Sequence, residues 1–199
     1  MLTRSRKRLD QIRMSLEVHE SLSPVRRLLH DLGDREIAIV ERAWRTAQRP
    51  GIKTAAFAVS WLGNGAAYLI IALLCVLTLE DPAWPLLISG LSVAVAHVIY
   101  PWTKLACGRQ RPFEARGELK PHLASLDKHS FPSGHAMTFT AALLPMVTAF
   151  PVIWPSVLLA WLLMAWSRVA CAHHYPTDIL AGTLLGMAVA TPLVIALLL

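Results

Sequence analysis

The chain has 199 residues, 55% of them apolar and 16% charged, with a mean hydropathy of +0.48. That is too apolar for the surface of a water-soluble domain. Nineteen Lys and Arg against thirteen Asp and Glu give a net charge of +6 and a pI near 9.7, which suits anionic lipid, phosphate and nucleic acid alike. Cys75, Cys107 and Cys171 form no CxxC pair and no zinc-like spacing, so neither a disulfide framework nor a metal site is expected.

Residues 1–53 carry twelve of the basic residues and seven of the acidic ones. Ser23-Pro24 reads as a turn, Asp34 as the N-cap of a helix running to about Gln48, and Pro50-Gly51 as its stop. Leu32, Ile37, Val40 and Trp44 recur at spacings of three to five, which predicts an amphipathic helix lying in the membrane interface or packed on the protein's own cytosolic face. The interleaved acids and single tryptophan of this arm argue against nucleic acid. The segment lacks the pattern of a cleaved signal peptide, so no removal is expected.

Uncharged runs follow at 54–79, 82–103, 129–167 and 179–199. The third would measure about 58 Å as one helix, roughly twice the hydrocarbon thickness, and should be two spans. Pro151 and Pro155 bracket the turn between them, while Pro145 would at most kink the earlier one. An all-α, polytopic transmembrane bundle of about five spans is therefore predicted, at about 55–79, 84–103, 134–150, 154–170 and 177–199. It divides into a basic segment at 1–53 and a membrane domain at 54–199. Asn64, flanked by Gly63 and Gly65, reads either as a close-packing position or as a kink. With five spans all nineteen Lys and Arg fall on one face, and the opposite loops carry only Glu80 and Asp81.

Three polar clusters sit at membrane ends on that face: Lys104 to Pro112, Phe131 to His135, and Ser167-Arg168 followed by His174 and Asp178. Lys104 and Arg168 emerge from apolar spans, where a cation is costly without an anionic partner, and Arg111 adds a planar fork suited to phosphate. Ser133 and Gly134 fall where a helix begins, so their free N–H groups would face an oxyanion. His174 with Asp178 fits a nucleophile whose tautomer a carboxylate fixes, and His135 fits the acid that protonates a leaving oxygen. No carboxylate cluster on this face would hold Mg²⁺, so no cofactor is expected and cations must neutralise the phosphate. His97, inside the second span, reads as a buried, hydrogen-bonded polar residue rather than a catalyst. The charged residues between the first two clusters, from Glu114 to His129, read as a solvated loop.

These clusters resemble the three motifs of the type 2 phosphatidic acid phosphatase family, K-x6-RP, PSGH and SR-x5-H-x3-D. Lys104, Arg111 and Pro112 match the first, Pro132 to His135 the second, and Ser167, Arg168, His174 and Asp178 the third. The resemblance covers about residues 54–199. It implies a metal-independent membrane lipid phosphatase with a phosphohistidine on His174, acid catalysis by His135, and phosphate binding by Lys104, Arg111, Ser133, Gly134 and Arg168. The adjacent His173 is set aside as nucleophile by spacing alone. Many bacterial members have six spans, whereas here a basic segment stands in place of the first. Two other readings use the same anion pocket: a phosphate-lipid binder or transporter, and a vanadate-dependent haloperoxidase. The expected partners are a lipid phosphate and the membrane, with the site on the cytoplasmic face.

Overall fold

The computed structural model describes residues 22–63, 65–121, 125 and 127–199, and every regular element among them is helical. In chain order these are α1 (Pro24–Thr46), α2 (Pro50–Leu62), α3 (Ala66–Thr78), α4 (Ala83–Cys107), the single turn α5 (Pro112–Ala115), α6 (Gly134–Ala149), a 3₁₀ turn (Pro151–Ile153), α7 (Trp154–Ala170) and α8 (Pro176–Leu197). By length and composition, α4, α7 with its preceding turn, and α8 can each cross a membrane, and the shorter stretch Tyr68–Thr78 is also apolar.

Helix α1 starts earlier than the sequence suggests. Ser23 and Pro24, expected to make a turn, are its N-cap and first residue, and the Ser23 hydroxyl accepts the Arg26 N–H at 3.5 Å. Proline suits that place because the N–H it lacks would have no helical partner. Asp34, the expected N-cap, lies well inside the helix.

The expected single span over 55–79 is two 13-residue helices, α2 and α3, separated at Gly63 to Gly65. Gly65 has φ +136°, a region open to glycine and closed to most side chains. Asn64 lies outside the described residues. Helix α4 also differs, running past the expected end at 103 to Cys107, where Gly108 in the left-handed region (φ 60°) stops it. A helix end set by a C-terminal glycine rather than by the first charge places Lys104 in the last turn. The other breaks fall where the prolines put them, and α6 continues through Pro145.

Helix α6 is the hub, packed chiefly on α8 and α4. Gly182 and Gly186, one turn apart on α8, let the two backbones meet. A Cβ at 186 would lie 2.5 Å from the Met137 carbonyl, and one at 182 would collide with that of Ser133. Small residues at this spacing are how membrane helices reach close contact. The Ser133 N–H then donates to the Asp178 carbonyl at 2.9 Å, tying together the first turns of α6 and α8. Helix α1 closes this end of the bundle, burying Ile37 and Val40 against Leu119, Ala172 and Tyr175.

Candidate active site

The three predicted clusters converge at the end of the bundle covered by α1. Lys104, Arg111, Ser133, Arg168, His174 and Asp178 are all buried there, on elements whose ends are fixed by Gly108, Ser133 and Pro176. His174, in the turn between α7 and α8, has a charged neighbour near each ring nitrogen, although Nδ1 makes no hydrogen bond among the described residues. Its Nδ1 is 3.5 Å from Asp178 Oδ2, one helical turn on, and its Nε2 is 3.5 Å from Arg111 Nη1. Nε2 is therefore the nitrogen presented to the cations. Burial, then the charges of Arg111, Arg168 and Lys104, hold the imidazole well below its ordinary pKa, leaving it neutral near pH 7. The neighbouring His173 turns elsewhere, its ring 6.2 Å from Phe113 in an edge-on arrangement.

Lys104 and Arg111 share one carboxylate partner, whereas Arg168 is held by a hydroxyl. Arg111 donates from Nη1 to the His173 carbonyl at 2.7 Å and from Nη2 to Asp127 Oδ1 at 2.8 Å. Lys104 donates to the same Asp127 oxygen at 2.5 Å and to the His129 carbonyl. The Tyr100 hydroxyl donates to the other Asp127 oxygen at 2.7 Å. Burial alone would raise this carboxyl, but its hydrogen bonds from Lys104 and Tyr100 and the nearby charges of Lys104 and Arg111 hold it below its ordinary value. Arg168 donates from Nη1 to the Ser60 hydroxyl of α2 at 2.5 Å, and its Nε has no hydrogen-bond partner among the described residues.

Two expectations about the second cluster need correction. The Ser133 N–H is not free for an oxyanion, because the Asp178 carbonyl takes it, and the Ser133 hydroxyl accepts the Ala136 N–H at 3.5 Å as the N-cap of α6. The space that Gly134 leaves open is filled by Tyr100, whose hydroxyl would lie 2.5 Å from a Cβ there. His135 follows in the first turn of α6. It lines a cavity of about 330 Å³ with Gly63, Gly65, Tyr68, His97, Tyr100 and Asp127. His97 is hydrogen-bonded as expected, its Nδ1 2.9 Å from the Val93 carbonyl, but it is exposed rather than buried.

Several residues at this end escaped the sequence reading. Asp127 looked like one more solvated loop charge, and Ser60 and Tyr100 had no motif to mark them. Arg109, inside the first cluster, had no role of its own. Glu36 did leave a signal, since it shares the buried face of α1 with Leu29, Gly33, Ile37 and Val40. An acid within an apolar helical stripe needs a partner.

The family model of the PAP2 superfamily matches residues 85–198, a stretch that holds all three motifs. The chain belongs to this superfamily. It is a multi-pass membrane phosphatase of that kind. A decaprenylphosphoryl-5-phosphoribose phosphatase from Mycobacterium tuberculosis is 35% identical over 142 residues, 71% of this chain and 78% of that one. An undecaprenyl-diphosphatase from Sulfolobus acidocaldarius is 30% identical over 97 residues, 48% of this chain and 47% of that one. Among solved structures, a transmembrane PAP2 type phosphatidylglycerolphosphate phosphatase from Bacillus subtilis shares the fold. Its TM-score is 0.56 at 22% identity, with 85% of this chain and 88% of that one covered.

Proposed function

We propose that this PAP2 enzyme hydrolyses a phosphomonoester or diphosphate of a lipid by way of a phosphohistidine on His174. The observation that carries the proposal is the placement of that ring, with the Asp178 carboxylate 3.5 Å from Nδ1 and the Arg111 guanidinium 3.5 Å from Nε2. A neutral imidazole with a carboxylate behind it and cations in front is set to attack a bound phosphate. Nε2 bonds to phosphorus while the bond to the lipid oxygen breaks, and His135 gives that oxygen a proton. Water then attacks phosphorus, passes a proton back to His135 and breaks the P–N bond, releasing inorganic phosphate. Asp178 stabilises the ring charge that appears in between.

Lys104, Arg111 and Arg168 bind the phosphate, joined by the Ser133 hydroxyl and the Gly134 backbone. Its arrival turns Lys104 and Arg111 away from Asp127. The leaving lipid oxygen lies toward the cavity that His135 lines. Names of the relatives favour a polyprenyl-linked phosphate over other lipids. A pocket that only bound or carried such lipids would need neither His135 nor Asp178. Purified protein should release phosphate from a polyprenyl monophosphate or diphosphate in EDTA, and His174→Ala or His135→Ala should remove most of the rate. Full activity in both variants would refute the mechanism.

The active site faces the cytoplasm in this reading. Helix α1 is bonded directly to the site through Glu36, so the seven basic residues of 22–53 and the site share one side whatever the number of spans. Basic residues next to the first span are retained inside. A single cysteine near Lys120, in a chain whose three native cysteines are replaced, should resist an impermeant maleimide in intact cells and react after permeabilisation. Labelling in intact cells would overturn the assignment.

A further inference from the structure

Arg109 sits two residues before Arg111 but points the other way, into the contact between α1 and α8. Its Nη1 donates to Asp178 Oδ1 at 2.5 Å and to the Thr177 hydroxyl at 2.8 Å, while Nη2 donates to Glu36 Oε2 at 3.1 Å. The guanidinium lies 4.0 Å over the Tyr175 ring. Glu36 also accepts the Thr177 N–H at 2.9 Å and the Thr177 hydroxyl at 2.6 Å. Arg109, Glu36 and Asp178 are all buried, while Thr177 is half-buried.

From this arrangement we infer that Glu36 and Arg109 are positioning residues through which α1 sets the orientation and charge of Asp178, and so of His174. The inference rests on the reading of His174 as nucleophile. Asp178 has one oxygen toward Arg109 and the other toward the Tyr175 N–H at 2.9 Å and His174 Nδ1. Nη1 of Arg109 thereby holds one carboxylate oxygen and leaves the other turned toward the Tyr175 N–H and the imidazole. Glu36 supplies a second hold, because it satisfies an N–H in the first turn of α8 that the helix itself leaves unpaired, and its charge suits the positive helix end.

Charge leads to the same assignment. One guanidinium between two carboxylates leaves a net negative group behind His174, the side where a cation forms during phosphoryl transfer. Without the Glu36 charge, Arg109 would cancel Asp178 alone, and the imidazolium would face Arg111, Arg168, Lys104 and His135 with little behind it. Helix α1 is pinned near the same place by Arg26, which donates to the Leu105 and Ala106 carbonyls at 3.1 and 3.3 Å. Glu36 lies outside the 85–198 stretch that the family model matches, so the catalytic unit of this chain extends into its basic N-terminal segment.

The test is Glu36→Gln in the full-length protein, which keeps the shape and loses the charge. We expect kcat to fall about tenfold with KM within about twofold, because the lost interaction acts on the ring cation rather than on phosphate binding. The acid limb of the kcat profile should move to lower pH, since the His174 imidazolium becomes harder to form. Glu36→Asp should recover much of the loss. Arg109→Lys, which keeps the charge without the fork, should lose more, about thirtyfold. Glu41→Gln serves as control: among the described residues Glu41 pairs with Arg45 on the same helix at 3.0 Å, and kcat should not move. A merely structural role for Glu36 would lower thermal stability and leave kcat per folded molecule and the pH profile unchanged, and that result overturns the inference. If Glu36→Gln does not fold, Glu36→Asp and Arg109→Lys decide on the same readouts. Loss of activity in His174→Ala alongside normal Glu36 and Arg109 variants would sink this inference while leaving the proposed function standing. Activity retained in His174→Ala would sink the proposed function itself.

Discussion

Arg109 and Arg111 are separated by a single residue, yet they sit in opposite electrostatic settings. Arg111 has neutral partners in the His173 and Asp127 backbone carbonyls and the His174 ring, and one displaceable charged partner, the Asp127 carboxylate, which is shared with Lys104. Arg109 is closed between two buried carboxylates. The first arrangement leaves positive charge available to an incoming phosphate, whereas the second consumes it to hold Asp178. An arginine near a phosphate site is therefore not by itself a phosphate ligand; its partners decide which task it performs.

The largest expected effect tests that division directly. Arg111→Lys should lower kcat/KM by about 10²- to 10³-fold with KM raised, because a bidentate hold on phosphate is lost along with part of the charge facing Nε2. For Arg109→Lys the loss should sit in kcat. Phosphate-release kinetics on both variants separate the two roles, and a matching split between kcat and KM would erase the contrast.

The sequence exposed the Arg111 half of this pair and hid the Arg109 half for a physical reason. Lys104, Arg111, His135, Arg168, His174 and Asp178 stand in short motifs, where each residue's chemistry can be recognised locally. Arg109 gains its meaning from Glu36, 73 positions earlier in the chain, and no local pattern records that pairing. The helical membrane class followed from uncharged runs that only apolar helices satisfy. Its details did not, because hydropathy registers the apolar stretch over 55–79 but not the backbone turn that Gly65 permits within it. The start of α1 was obscured because Ser-Pro is read equally well as a turn and as a helix cap.

A middle-sized effect is expected at Asp127, the carboxylate that stands where a phosphate would be shared between Lys104 and Arg111. Asp127→Asn should make inorganic phosphate a tighter inhibitor by about threefold, since a competing anion is removed, and lower kcat by up to about tenfold as both cations lose their register. The carboxyl is held below its ordinary pKa, so its ion pairs persist at neutral pH and are lost only as pH falls through that lowered value. His174 adds to the acid sensitivity. Its imidazole is kept neutral in the fold but takes a proton near pH 6.5 once unfolded, so stability should decline as pH drops below about 6.5. Thermal unfolding in detergent from pH 8 to 5 checks the sign, and stability rising toward pH 5 would contradict it.

The smallest expected effect is at Ser60, and it sharpens the comparison by supplying a third arginine. Arg168, like Arg111, faces the site with a neutral partner, here a hydroxyl delivered from α2. A neutral acceptor orients the guanidinium without cancelling its charge, which is the requirement for a phosphate ligand and the reverse of the requirement for Arg109. Ser60→Ala should therefore leave the charge in place and loosen only its direction. KM should rise about threefold with kcat nearly unchanged, and the buried donor left without its acceptor should cost about 1–3 kcal/mol of stability. Ser60→Asp, by contrast, would give Arg168 the kind of partner that Arg109 has, and should weaken phosphate binding far more than alanine does. Inhibition by inorganic phosphate, measured on both variants, tests that ranking. If Ser60→Asp bound phosphate as tightly as Ser60→Ala, partner charge would not be what separates a phosphate-binding arginine from a positioning one.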